Sequence, residues 1–227
     1  LQLNTTKTDL LWCAPPRRQH QIPSTPFLIE GDVITPASTV RDLGLLLDNN
    51  LQMNSHISAL VSSCYFALRQ LKCIRRSLND VTVQTLINSF IMSKIDYCNI
   101  AFIGLPGSSL SRLQSVINSA ARLVSGLGKY DHITAALHDL HWLKIRERID
   151  FKLCLLVYKC LHDLAPPYLS SFIIPLNQIP ARQRLRSSKT LDVYEHGASK
   201  TVGDRAFRVA GPRAWNKLPS SVQEAPS

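Results

Sequence analysis

Aromatic side chains are scarce: Phe, Trp and Tyr make up 7% of the 227 residues. A core must therefore rest on Leu, Ile and Val, which suits helices packed along aliphatic stripes better than an aromatic-rich sandwich. Acid is scarce as well, with 16 Asp and Glu against 26 Lys and Arg. The carboxylates are scattered singly, so the sequence offers none of the pairs that two-metal phosphoryl chemistry needs. There is no G-x-S-x-G, which removes the nucleophile elbow of a hydrolase. "GLGK" at Gly126 to Lys129 lacks the other glycine and the Ser/Thr of a phosphate-cradling loop and reads as a helix C-cap. No leader of basic, apolar and small residues opens the chain and no apolar run nears the 18 residues of a membrane span, so nothing points to a membrane partner.

The six cysteines (Cys13, Cys64, Cys73, Cys98, Cys154, Cys160) form no C-x-x-C pair. Most lie in apolar helical patterns and read as buried thiols of a reducing, intracellular compartment. Cys154, Cys160 and His162 are spaced by six and two, which puts them on different faces of a helix, and His138 and His141 have no partner pair; no metal is expected.

Positive charge is abundant and unevenly spread. The formal net charge is +10; residues 1–60 hold four Lys/Arg against five Asp/Glu, leaving 22 against 11 for residues 61–227. A polyanionic partner is the simplest reason to keep such self-repulsion, since every phosphate neutralised releases counterions. A plain basic soluble domain accounts for the charge equally well.

The apolar pattern predicts an α+β chain that is mainly α. Up to Asn50 it is short and punctuated: Gly31-Asp32 between Phe27 to Ile29 and Val33 to Ile34, with Pro26 and Pro36 outside, predicts a hairpin, and "VRDLGLLLD" predicts one further strand. From residue 51 to about 165 the period is helical. Ile57, Leu60, Val61, Cys64, Leu68, Leu71 and Ile74 form one stripe, and Arg69, Lys72 and Arg76 lie on the face beside it. Asp80 is placed to cap a second helix with Val83, Leu86, Ile87, Phe90 and Ile91 inward. A third starts at Ser108 or Ser109, buries Leu110, Leu113, Val116, Ile117, Ala120 and Val124, leaves Arg112 and Arg122 outside, and stops at Gly126. Asp131 is expected to cap "HITAALHDL", and a long helix runs from about Leu143 to Leu164 until Pro166-Pro167.

Residues 166–227 read as a basic, loop-rich tail. Arg182, Arg184 and Arg186 alternate, so an extended chain would point them one way, along a row of phosphates. "GDRAFRVAGPRAWNKLP" (Gly203 to Pro219) sets Arg205, Arg208, Arg213 and Lys217 beside Phe207 and Trp215, with Pro212 expected to open a short helix. Its aromatics could stack on unpaired bases or plug the tail onto the helices; the plug is favoured for Trp215, with the arginines facing outward.

"LNTTKTDLL" (Leu3 to Leu11), "VRDLGLLLDNNLQMNSHI" (Val40 to Ile57), the run from Arg112 to Leu169 and the closing "GDRAFRVAGPRAWNKLP" resemble, in that order, the C-terminal part of reverse transcriptases of LINE-type non-LTR retrotransposons, most like the jockey and chicken-repeat groups. The resemblance implies a palm remnant over residues 1–50, a helical thumb-like domain over 51–165 and a basic C-terminal segment over 166–227. It makes Lys7 of the N-x-x-K-T element a candidate acid for departing pyrophosphate. It makes Leu43, Gly44, Leu47 and Asp48 resemble the region that holds the primer end, and it lays Arg69, Lys72 and Arg76 against a template-primer duplex. The family's Asp-Asp hairpin and its other metal-binding aspartate are expected before Leu1, with the rest of the palm and the fingers. The chain by itself is therefore expected to bind RNA or an RNA-DNA hybrid without polymerising, and Mg²⁺ is expected only in the full-length polymerase. A helical protein-interaction module and a decayed element copy are the competing readings.

Overall fold

The computed structural model describes residues 4, 7–29, 31–180, 191–197 and 202–224. Arg182, Arg184 and Arg186 lie outside the described residues. The chain forms two compact units, one of Leu1–Cys98 with Leu105–Trp142, the other of Asn99–Gly104 with Leu143–Ser227. The boundary expected near residue 165 falls inside the second unit.

The first unit opens with short strands. β1 (Leu10–Leu11) pairs in parallel with β4 (Pro36–Ala37), while β2 (Phe27–Ile29) and β3 (Asp32–Ile34) form the predicted hairpin with Phe27 opposite Ile34. Gly31, at φ +94°, supplies the left-handed turn residue. The single strand expected from "VRDLGLLLD" is instead a second hairpin, β5 (Thr39–Asp42) and β6 (Leu45–Asp48), with Asp42 opposite Leu45. Its two loop residues, Leu43 and Gly44, both have positive φ (45° and 87°), the conformation that matches the twist of paired strands. Glycine adopts it freely; leucine there has no turn signature, so the sequence read straight through it.

α1 (Asn54–Ile74) buries Ile57, Leu60, Cys64, Leu68 and Leu71, the stripe the spacing gives, while Ile74 is exposed. α2 (Asp80–Ile87) is capped by Asn79, whose side chain accepts from Thr82 N at 2.8 Å; Asp80 is its first helical residue, not its cap. A π-helical turn, Asn88–Met92, then leads into α3 (Ser93–Asp96). The widened turn shifts the helical phase, so Ile91, Met92 and Ile95 are buried and Phe90, expected inside, is exposed. α4 (Gly107–Ser125) buries all six predicted positions and ends at Gly126 with φ 65°. α5 (Ile133–Asp139) is not capped by Asp131, whose carboxylate accepts from Gly128 N at 2.7 Å.

The second unit is built on α6 (Ile145–Leu161), followed by α7 (Pro167–Ser170), α8 (Phe207–Trp215) and α9 (Ser220–Gln223). Leu164, expected on the buried side of the long helix, lies beyond its end and is exposed. Val157 and Cys160 of α6 form a core with Ile173, Val193 and Trp215. Pro212 does not open α8 but sits inside it, leaving the Arg208 carbonyl without its usual donor. The neighbouring Gly211 lets α8 approach α6 closely: a Cβ there would lie 3.0 Å from Val157 Cγ2 and 3.1 Å from the Phe207 ring.

Not all thiols are buried as expected. Cys64 and Cys160 are, Cys154 is half-buried, and Cys13, Cys73 and Cys98 are exposed. Burial pushes Cys64 and Cys154 up to about 11, with nearby Lys94 opposing the shift at Cys64 and Asp150 adding to it at Cys154.

Candidate nucleic-acid interface

α1 carries no Asp or Glu between Asn54 and Ile74. Arg69, Lys72 and Arg76 are spaced three and four apart, so they lie on one flank of α1 and the turn that continues it, and all three are exposed. No ion pair engages any of them among the described residues. Ser58 shares that flank, and Arg112 of α4 donates to its hydroxyl at 3.1 Å. At the other end of α1, Arg75 Nε donates to the Leu123 carbonyl at 3.0 Å. These two contacts set α1 and α4 side by side in the same direction, and they bring Arg112 to the same flank at Ser58, about three helical turns before Arg69. Sequence reasoning placed Arg112 outward but could not join it to α1, because the pairing is tertiary.

Arg75 sits among these cations in sequence yet does different work. Its guanidinium also donates to the carbonyls of Leu78 (3.0 Å) and Val124 (3.2 Å) and pairs with Asp80, thereby satisfying the open end of α4. Arg122 is held likewise, its Nε donating to the Gly128 carbonyl at 3.2 Å.

The hairpin region has a structural occupation. Asp48 is 7% exposed, and its two oxygens accept from Met53 N (3.0 Å) and Asn54 N (2.9 Å) at the start of α1. Leu43, at the tip, is 82% exposed, and its carbonyl accepts from Tyr97 Oη at 2.6 Å. The Tyr97 ring would lie 3.5 Å from a Cβ on Gly44. Leu47, on β6, is half-buried. Lys7 is exposed, and its backbone amide donates to the Asn4 carbonyl at 3.1 Å. A catalytic magnesium does not fit here: Asp48 is committed to two amides, and among the described residues no group of three or more His, Cys, Asp or Glu is placed to hold a metal ion.

In the closing segment only part of the expected outward charge is available. Arg205 turns inward: Nε donates to the Ile103 carbonyl at 2.8 Å and Nη2 to the Ala101 carbonyl at 3.1 Å, closing the 3-10 turn Asn99–Phe102. Gly104, at φ 66°, makes room for it, since a Cβ would stand 2.8 Å from Arg205 Cγ. Arg213 pairs with Asp204 at 2.9 Å. Helix-end carbonyls and a nearby carboxylate need donors, and these two arginines supply them. Arg208 and Lys217 remain exposed. Trp215 is buried, and its indole N-H donates to the Leu191 carbonyl at 2.8 Å, which makes it the plug. Asn216 grips Val193 at both its amide (3.0 Å) and its carbonyl (2.9 Å).

The chain is 25% identical over 129 residues to a probable RNA-directed DNA polymerase from transposon BS of Drosophila melanogaster. It is related to a transposon RNA-directed DNA polymerase. The match covers 56% of this chain and 14% of that protein, so the chain spans a small part of its relative. No protein-family model and no solved structure matches it. No helix among the described residues is long and apolar enough to cross a membrane.

Proposed function

We propose that the chain is the nucleic-acid-gripping C-terminal part of a LINE-type retrotransposon reverse transcriptase, with residues 1–50 closing the palm and the first unit's helices acting as thumb. The observation that carries this reading is the flank of α1: Arg69 and Lys72, on a helix with no acid, and Arg76, on the turn that continues it, stand open, and Arg112 reaches the same flank at Ser58. Such a row tracks a phosphate backbone and fixes a duplex in place without reading bases. Leu43 and Gly44, at the tip of the β5–β6 hairpin, would face the primer end, and Lys7 would serve the pyrophosphate side in the assembled polymerase. Catalytic carboxylates and their Mg²⁺ belong, in this proposal, to the palm upstream.

The test is a fluorescence-anisotropy titration of an RNA-DNA template-primer with the full chain and with the triple variant Arg69→Ala/Lys72→Ala/Arg76→Ala. The wild type is expected to bind, and the variant to lose affinity with its circular dichroism unchanged. Equal dissociation constants would remove the α1 flank from the interface, and extension of the primer by the isolated chain would contradict the division of labour.

A further inference from the structure

The second unit holds an apolar groove of about 890 Å³ that the nucleic-acid reading does not use. One wall is a face of α6, where Asp150, Phe151, Cys154, Leu155 and Tyr158 recur at helical spacing from Glu147. Ala210 and Ala214 of α8, then Leu218 and Val222, line the other. Phe151 is 57% exposed and Val222 53%, so the groove leaves contiguous apolar surface in water. From Glu147 to Tyr158 the α6 wall rises about 17 Å at 1.5 Å per residue, the length of three helical turns.

Charge on the rim narrows the occupant. Arg213 and Asp204 satisfy each other, and Arg205 is spent on carbonyls. Asp150 on the α6 side and Lys217 on the α8 side are exposed and make no ion pair among the described residues. A long trough with opposite charges on opposite rims matches an amphipathic helix better than a compact apolar ligand.

We propose that this groove docks an amphipathic α-helix of a partner protein. Apolar side chains at i, i+3 or i+4, and i+7 fill the trough, a Lys or Arg on one flank meets Asp150, and an Asp or Glu on the other meets Lys217. The probe is a fluorescein-labelled helical peptide of roughly 15 residues with Leu in that spacing, Lys on one flank and Gln elsewhere. A second peptide carries Glu in place of Lys. The Lys peptide is expected to bind the full chain saturably and to lose about tenfold in affinity to Phe151→Ser, a substitution at an exposed site. Asp150→Lys should weaken the Lys peptide by roughly two- to fivefold and improve binding of the Glu peptide. Circular dichroism of each variant establishes that the fold is kept. No saturable binding, or binding indifferent to Phe151→Ser, overturns the proposal. So does anilinonaphthalene sulfonate that fills the groove and is not displaced by peptide, which would mark a small-ligand cavity. Concentration-dependent self-association abolished by Phe151→Ser would assign the groove to a second copy of the chain and overturn it too.

Discussion

The flank of α1 and the closing segment Gly203 to Pro219 look alike in sequence, each a cluster of cations among apolar residues, yet the structure employs them differently. On α1, Arg69, Lys72 and Arg76 reach into solvent. In the closing segment, Arg205 and Arg213 are bound to the protein itself, and Trp215 fills a core. Local supply and demand decides the outcome. At the end of α1 it is Arg75 that takes the nearby carbonyls and Asp80, leaving Arg69, Lys72 and Arg76 open, whereas in the closing segment the 3-10 turn Asn99–Phe102 and the Asp204 carboxylate recruit Arg205 and Arg213. A cation count therefore measures attraction to polyanions only after the arginines that close helix ends are set aside.

That contrast can be broken by substitution. The largest effect is expected for Trp215→Ala, which removes the plug and its indole hydrogen bond; urea denaturation should show a loss of about 3–5 kcal/mol. Arg205→Ala strips two backbone carbonyls of a charged donor and should cost about 2–3 kcal/mol by the same measurement. Arg208→Ala, three residues on and exposed, should leave stability unchanged; if Arg208 matters as much as Arg205, the distinction between bound and open arginines fails. In the first unit, Asp48→Ala leaves the two opening amides of α1 unpaired and should cost about 1–2 kcal/mol.

How much of this was legible follows the same line. α4 could be read residue by residue, because six apolar positions at helical spacing and a terminal glycine agree with one another. The β2–β3 hairpin was legible from Gly31 and the flanking prolines. The Leu43-Gly44 turn was not, since leucine at φ 45° is held by the strand pairing on either side of it and by the Tyr97 hydroxyl on its carbonyl. Nor was the π-helical turn, which no residue type announces and which turned Phe90 outward. Among site residues, the exposed row on α1 followed from periodicity alone. The inward turn of Arg205 depends on carbonyls about a hundred positions earlier in the chain, and the helical period holds no record of them.

A smaller effect is expected from pH. Cys64 and Cys154 are raised from the usual 9.0 to about 11, so the folded state holds these protons more tightly than the unfolded chain. Their contribution to stability is intact below pH 9 and is lost as pH rises from 9 to about 11. Alkylation followed by mass spectrometry at pH 8 should modify Cys13, Cys73 and Cys98 well before Cys64 and Cys154; equal rates would contradict the burial pattern.

The central claim is that the open cations of α1 neutralise phosphates while the bound arginines of the closing segment do not. Its most direct test is the slope of log affinity for a template-primer against log salt concentration, in the wild type, the α1 triple variant and Arg213→Ala. The account predicts a slope shallower by roughly one for each lost contact, about three in all, for the triple variant, and an unchanged slope for Arg213→Ala. The same slope in the wild type and the triple variant, or a shift confined to Arg213→Ala, would contradict it.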